Sequence, residues 1–349
     1  MCSMERINFE KILFHPETLS QYMQTGIFHP YHMSIGLISS CNHACQWCYV
    51  DFAKQNILIE PDLLLTALSD AQKSWGLKAI TIVGMGEPTL HPQFVSIIKS
   101  IRMMEIEIGL FTNGSRLSGD TAKALLDATF VRISLDAATP ETHGRCHGTD
   151  DFARIIDNIR DFVQQKRPSS LPTIGIQFAA CQLNKKDIIP MADLAISLGV
   201  DYLSYKPVYK NRHNPDHPAN EMAFEEAAAL LGEAKKRENK HLKIYTKLNQ
   251  FHDVLEDGFR TYTKCRAHSV SPYIEEDGSI AFCGNLYPDS IIGNLHAQSL
   301  TDIWYGDRHR RLIKNIDMKN CVQGCKYHRL NMIFDELFHY DSQLHMNFI

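Results

Sequence analysis

The chain has no long lysine- or arginine-rich segment, and its formal net charge is −4. Nucleic acid, which is held through neutralised phosphates, is therefore not an expected partner. No secretory signal opens the sequence, because Cys2–Glu10 carries charge with no apolar core behind it. Charge itself is missing in one place: Thr18–Val50 contains no Asp, Glu, Lys or Arg. His29, Pro30, His32, Asn42 and His43 interrupt that stretch, so it does not read as a membrane span. It reads as a segment that carries a loop into a low-charge pocket. Internal repeats and low-complexity tracts are absent as well. What the chain does have is 10 cysteines. Without a signal, they fit metal ligation in a reducing cytosol better than a disulfide framework, so a cytoplasmic protein is expected.

Three of those cysteines fall within Cys41-Asn42-His43-Ala44-Cys45-Gln46-Trp47-Cys48, directly after the strand-like run His32–Ser39. Three thiolates from one short loop can hold three irons of a cubane 4Fe–4S cluster and leave the fourth iron open to a small ligand. The alternatives are a zinc site, for which His43 is the nearest fourth ligand, or a disulfide cluster.

Strand-like and helical stretches alternate from about Met33 to Lys210. The strands are Met33–Ser39, Ala79–Val83, Glu107–Phe111, Phe130–Leu135, Thr173–Ala180 and Tyr202–Tyr205. Helices are expected at Asp62–Ser74, Pro92–Met103, Thr121–Asp127, Asp151–Gln165 and Lys186–Leu198. The fold class is α/β: six β/α units imply a parallel sheet curled into a partial barrel, with its site at the carboxyl ends of the strands. The expected boundaries are an N-terminal extension over 1–32 and the partial barrel over 33–210. A bridge over 211–262, a small α+β module over 263–330 and a tail over 331–349 complete the division. The bridge begins in the turn-rich loop Asn211–Asn220 and continues into a helix at Glu221–Lys236.

The cysteine loop resembles that of the radical S-adenosylmethionine (radical SAM) superfamily. In that family an aromatic residue before the third cysteine packs on the adenine; Trp47 stands there, with Tyr49 after the cysteine. The resemblance continues at the end of the next strand, where Gly84-Met85-Gly86-Glu87-Pro88 matches the stretch that binds the amino group of SAM. It implies cofactor contacts at Gly86, Glu87 and Pro88. The chemistry is compatible, since an ammonium needs acceptors such as the Glu87 carboxylate and turn carbonyls. By the same resemblance Ser134 contacts the ribose, Thr112 is a further cofactor contact, and Arg145 clamps the SAM carboxylate.

Cys265, Cys283, Cys321 and Cys325 form a second set. Asp277-Gly278 supplies a tight turn between two short strands, which brings Cys265 and Cys283 to one end of a hairpin. The alternative for these four is a zinc ribbon, although the first pair is spaced too far for a zinc knuckle. The spacing Cys265-x12-Gly278-x4-Cys283, the stretch Gly293–Trp304 and Cys321-x3-Cys325 resemble the SPASM and twitch extensions of radical SAM enzymes. Full SPASM domains carry more cysteines, so the resemblance implies one auxiliary 4Fe–4S cluster on four thiolates.

The cofactors implied are SAM and two 4Fe–4S clusters, with flavodoxin or ferredoxin as electron donor. The reaction implied is reductive SAM cleavage followed by hydrogen abstraction from the substrate. Oxidation would use the auxiliary cluster as electron acceptor and Asp277 as candidate base. Epimerisation would use Cys181 or Cys146 as hydrogen donor, although buried free cysteine is more often packing. The 32 residues before the first strand are too few for a leader-binding domain, which favours a small polar, sugar-like substrate over a peptide. A non-catalytic two-cluster electron carrier is the reading from another class.

Overall fold

The computed structural model describes residues 9–48, 56–166, 170–209, 222–255, 260, 262–322 and 324–338. Cys2, Tyr49 and the Asn211–Asn220 loop lie outside them. In chain order the elements are α1 (Pro16–Thr25), β1 (His32–Gly36), α2 (Pro61–Trp75), β2 (Ala79–Val83), α3 (Phe94–Met103) and β3 (Glu107–Thr112). There follow α4 (Gly119–Leu125), β4 (Phe130–Ser134), α5 (Pro140–His147), α6 (Phe152–Lys166), β5 (Thr173–Ala180), α7 (Ile188–Leu198) and β6 (Tyr202–Pro207). The remainder is α8 (Phe224–Lys235), β7 (Lys243–Tyr245), α9 (Leu248–Leu255), β8 (Tyr273–Ile274), β9 (Ser279–Ala281), β10 (Ile291–Asn294), α10 (Leu300–Tyr305), α11 (Asp307–Lys314) and α12 (His328–Phe338).

All ten strands join one sheet in the order β10-β9-β8-β1-β2-β3-β4-β5-β6-β7. From β8 to β7 every neighbouring pair is parallel, and only the β8–β9–β10 hairpins run antiparallel. Parallel pairing requires helical crossovers, which cover the outer face. Helix α2 shows how the sequence writes one: Pro61 opens it, Gly76 closes it in the left-handed conformation, and Leu64, Leu68, Ala71 and Trp75 form its buried stripe. The inner face is curled by alternating small and large residues. Gly109 makes room for the Phe130 ring and Gly175 for the Tyr202 ring; a Cβ at either position would overlap the ring.

The six expected strands are present, and the bridge contributes a seventh, β7, parallel to β6. The expected bridging helix is α8. Nor are the terminal segments appendages. Ile12, Tyr22 and Phe28 pack with Ala267, Val270, Leu330 and Phe334 into a separate apolar core, so the segment before β1 and the helix α12 enclose the C-terminal module together. Thr301 at the start of α10 donates through N and Oγ1 to Asp70 of α2 at 3.1 and 2.9 Å, which docks that module on the barrel. Among the described residues no helix is long and apolar enough to cross a membrane.

Candidate active site

A cavity of about 400 Å³ opens at the carboxyl ends of the parallel strands. Cys41, Cys45, Cys48, Trp47, Gly86, Glu87, Pro88, Thr112 and Ser134 all line it, so nine of the residues picked from the sequence share one space. Sequence reasoning did not pick Asn113, His147, Gln177, Lys206 and Tyr209, which also line it.

Backbone contacts fix the cysteine loop on both sides. Ala44 and Gln46 donate to the carbonyls of His147 and Cys146 at 2.8 and 2.9 Å. On the other side the Glu87 amide donates to Ser40 O at 2.9 Å, and a side chain at position 86 would overlap Ser40 O and Ile38 O. Gly86 is therefore required by the close approach of two loops. Asn113 Nδ2 donates to Asn42 Oδ1 at 2.9 Å, and Asn42 Nδ2 donates in turn to Ser115 Oγ, also at 2.9 Å. Three thiols thus face a cavity from a loop anchored on both sides, an arrangement that fits a cluster held by three cysteines. His147 Nδ1 lies 3.1 Å from Cys45 Sγ.

Glu87 does something other than wait for an ammonium. Its carboxylate is buried and already accepts from Thr89 N at 3.2 Å, Thr89 Oγ1 at 2.6 Å, Thr112 Oγ1 at 2.6 Å and Asn113 N at 2.7 Å. Burial pushes its pKa up, and these four donors push back. Glu87 is the knot between the ends of β2 and β3, and Thr112 is one of its strings.

Behind the cysteine loop lies a buried cluster of histidines. His43 Nε2 and His143 Nε2 bracket Asp151 at 3.2 and 3.0 Å, and Arg154 reaches the same carboxylate at 2.8 Å. Burial works to raise the Asp151 pKa, but the hydrogen bonds from His143, Arg154 and His43 outweigh it and hold it below the ordinary range. His43, the candidate fourth zinc ligand, is thus committed through Nε2 to Asp151.

Four sequence candidates lie away from the cavity lining. Arg145 is exposed on α5 and donates to Thr142 Oγ1 at 3.3 Å, because the helical period turns Cys146 and His147 inward and Arg145 outward. Cys146 is buried against Asp136 O, and Cys181 sits under Trp47 with Ala179, Leu183 and Val208. Burial pushes both thiols up, Cys181 to about 11. Asp277 is exposed in its turn, accepting from Ser279 N and Oγ at 2.8 and 3.0 Å. Its neighbour Glu276 points the other way, into the barrel mouth.

A second, smaller cavity is lined by Cys265, Cys283, Cys321 and Cys325 together. Asn285 and Asn331 direct amide N–H groups at Cys325 and Cys265, each at 3.5 Å. Arg260 ties the loop bearing Cys321 by donating to the carbonyls of Met318, Cys321 and Val322. Convergent thiols with donors aimed at the sulfurs fit a four-cysteine cluster.

Two family models match the chain: the radical SAM superfamily over residues 35–195 and the SPASM iron–sulfur cluster-binding domain over 265–326. A "Tungsten-containing aldehyde ferredoxin oxidoreductase cofactor-modifying protein" of Pyrococcus furiosus is 24% identical over 83% of this chain and 86% of its own length. A "Probable GTP 3′,8-cyclase" of Saccharolobus islandicus is 27% identical over 48% of this chain, which spans 54% of that protein. Among solved structures, Streptococcus suis SuiB bound to precursor peptide SuiA superposes with a TM-score of 0.67 at 17% identity, covering 91% of this chain and 76% of that one. The structure of anSMEcpe with bound AdoMet gives 0.63 at 15% identity, covering 82% and 80%. Members of this family work with SAM, a 4Fe–4S cluster and, in the SPASM domain, an auxiliary cluster. The cavity, its cysteine loop and the second thiol set agree with the matches: this chain is a radical SAM enzyme with a C-terminal SPASM domain.

Proposed function

We propose that Cys41, Cys45 and Cys48 hold the SAM-cleaving 4Fe–4S cluster and that Cys265, Cys283, Cys321 and Cys325 hold the auxiliary one. The observation that carries this reading is the shared cavity of three thiols and the Glu87-tied loop at the strand ends. When bound, the first cluster supplies reductive cleavage of SAM, which yields a 5′-deoxyadenosyl radical able to take a hydrogen atom. This chain's residues hold and enclose the reactants. The Gly84–Pro88 stretch would receive the SAM ammonium and Ser134 the ribose, and Trp47 closes the wall beside Asp136 and Val208. The auxiliary cluster supplies an electron acceptor.

The outcome we infer is oxidation of a small polar molecule. Two features support it: neither Cys146 nor Cys181 lines the cavity, and four thiols are gathered for an electron acceptor. The relative from Pyrococcus furiosus, whose name makes it a cofactor-modifying protein, matches over most of its length, and a small cofactor belongs to this substrate class. The test is anaerobic reconstitution, reduction, and measurement of 5′-deoxyadenosine and of product mass across small-molecule and peptide candidates. Product two hydrogens lighter supports the reading; no deoxyadenosine, or modification confined to peptides, overturns it.

A further inference from the structure

The inner wall formed by β4 to β7 is cationic. In register, Arg132 of β4 stands beside Gly175 of β5, and Gly175 beside Tyr202 of β6. The Arg132 guanidinium lies over the Phe111 ring, 4.5 Å from its centroid, and donates to two neutral acceptors: Tyr202 Oη at 2.9 Å and Gln177 Oε1 at 3.4 Å. Gln177 itself faces the cavity. Farther up the wall, Lys206 stands beside Ala179 and lines the cavity too.

Lys247 lies two residues past the end of β7, behind the cavity lining that Lys206 joins. Ser204 pairs with Tyr245, so Lys206 and Lys247 each follow two residues later, on the same side of neighbouring strand ends. Lys247 is held at a φ of 46°, where its carbonyl accepts from Gln250 N and Phe251 N at the start of α9. Few side chains adopt that backbone region without a reason.

The three cations repel one another. Burial pushes Lys206 down to about 8, with Arg132 and Lys326 pushing the same way and Asp136 opposing. Lys247 falls to about 7 through burial, then through Arg132 and Lys206. Among the described residues no carboxylate lies within ion-pair distance of Arg132, Lys206 or Lys247. Half-buried like charges favour an anion beside them, and Asp136, which shares the cavity, offsets the repulsion only in part at Lys206.

We propose that Lys206, backed by Lys247 and Arg132, forms the subsite for an anionic group of the substrate, a phosphate or carboxylate carried by the small polar molecule. This rests on the reading of the cavity as the chamber for SAM and substrate. Because SAM also carries a carboxylate, the test must separate the two anions.

The probe is inorganic pyrophosphate, titrated calorimetrically into cluster-loaded protein with and without saturating SAM. The expected result is binding in both conditions, weakened on the order of ten- to a hundredfold by Lys206→Gln and by Lys247→Gln, as loss of a charge-assisted hydrogen bond implies. Lys206→Arg, which keeps the charge, retains binding and separates loss of the cation from loss of the fold. If pyrophosphate does not bind, or binds all variants equally, the subsite does not exist. If SAM displaces it, the cations serve the SAM carboxylate and the substrate assignment falls. Deoxyadenosine formation by the same wild-type sample, measured without pyrophosphate, reports separately on the SAM reading.

Discussion

Glu276 Oε1 accepts the backbone N–H of Met85 at 2.8 Å, joining the C-terminal module to the middle of the Gly84–Pro88 loop. The carboxylate reaches that amide through a gap left by two glycines, Gly36 at the end of β1 and Gly84 after β2. A Cβ at either position would overlap it. The barrel is therefore not independent of the module that follows it.

This relationship can be tested by a double-mutant cycle. Glu276→Ala leaves the Met85 amide without its acceptor and should cost about 1–3 kcal/mol of stability. Gly36→Ala should also destabilise, because its methyl meets the carboxylate; in the Glu276→Ala background the same methyl enters vacant space and should cost far less. Urea unfolding of the four proteins measures the coupling. Additive losses would mean that the glycines and Glu276 are not partners. Weaker SAM binding by Glu276→Ala, measured at equilibrium on loaded protein, is expected in addition.

For the first cluster, replacing Cys41, Cys45 and Cys48 by alanine should abolish 5′-deoxyadenosine formation. Iron should fall to about the content of a single auxiliary 4Fe–4S cluster. Deoxyadenosine production surviving the triple substitution would refute the assignment of these thiols.

Alanine at Cys265, Cys283, Cys321 or Cys325 should remove the auxiliary iron and stop product formation. Uncoupled deoxyadenosine should remain detectable as long as the hairpin still delivers Glu276. Metal analysis after anaerobic purification decides the ligand set, and zinc in place of iron would count against it.

The sequence carried the parts of this site whose geometry is local. Cys41, Cys45 and Cys48 sit on one loop, Gly84–Pro88 follows a strand directly, and the β/α alternation sets both at the same end of the sheet. Asp277-Gly278 likewise makes its turn from adjacent residues. What stayed illegible depends on distant partners. Glu276 acquires its position from space left by Gly36 and Gly84, and Lys247 matters only because β7, a three-residue strand with little pattern of its own, pairs with β6. Arg145 lies on α5, a helix whose short polar sequence does not announce which side faces inward; the side chain that reaches the cysteine loop from there is His147. Glu87 was recognised, but four hydrogen bonds from Thr89, Thr112 and Asn113 give it a structural task the motif does not spell out.

The two buried thiols give the next prediction. Cys146→Ala and Cys181→Ala should both retain product formation, and product made in deuterated water should carry no label at the reacting carbon. Neither sulfur is among the residues that line the cavity. Label at that carbon, lost in one of the two variants, would revive the hydrogen-donor route.

Glu275, beside Glu276, sets a pH dependence. It is only 6% exposed, and burial, then Glu276 and Asp277, raise its pKa to about 8. A carboxyl whose folded pKa exceeds its unfolded value near 4.5 binds more protons in the native state than in the unfolded chain. Its favourable contribution is complete below the unfolded pKa and is lost as pH rises towards 8. Wild-type stability should therefore decline across that window, through loss of a proton at the boundary between barrel and module. Glu275→Gln keeps a neutral side chain of the same shape and should flatten the decline, with a gain over wild type on the order of a few kcal/mol above pH 8 and almost none near pH 5. Urea midpoints of the two loaded proteins at pH 5 and pH 8.5 provide the measurement. Parallel shifts in both proteins would show that Glu275 is ionised in the fold at neutral pH and that its burial is compensated by another group.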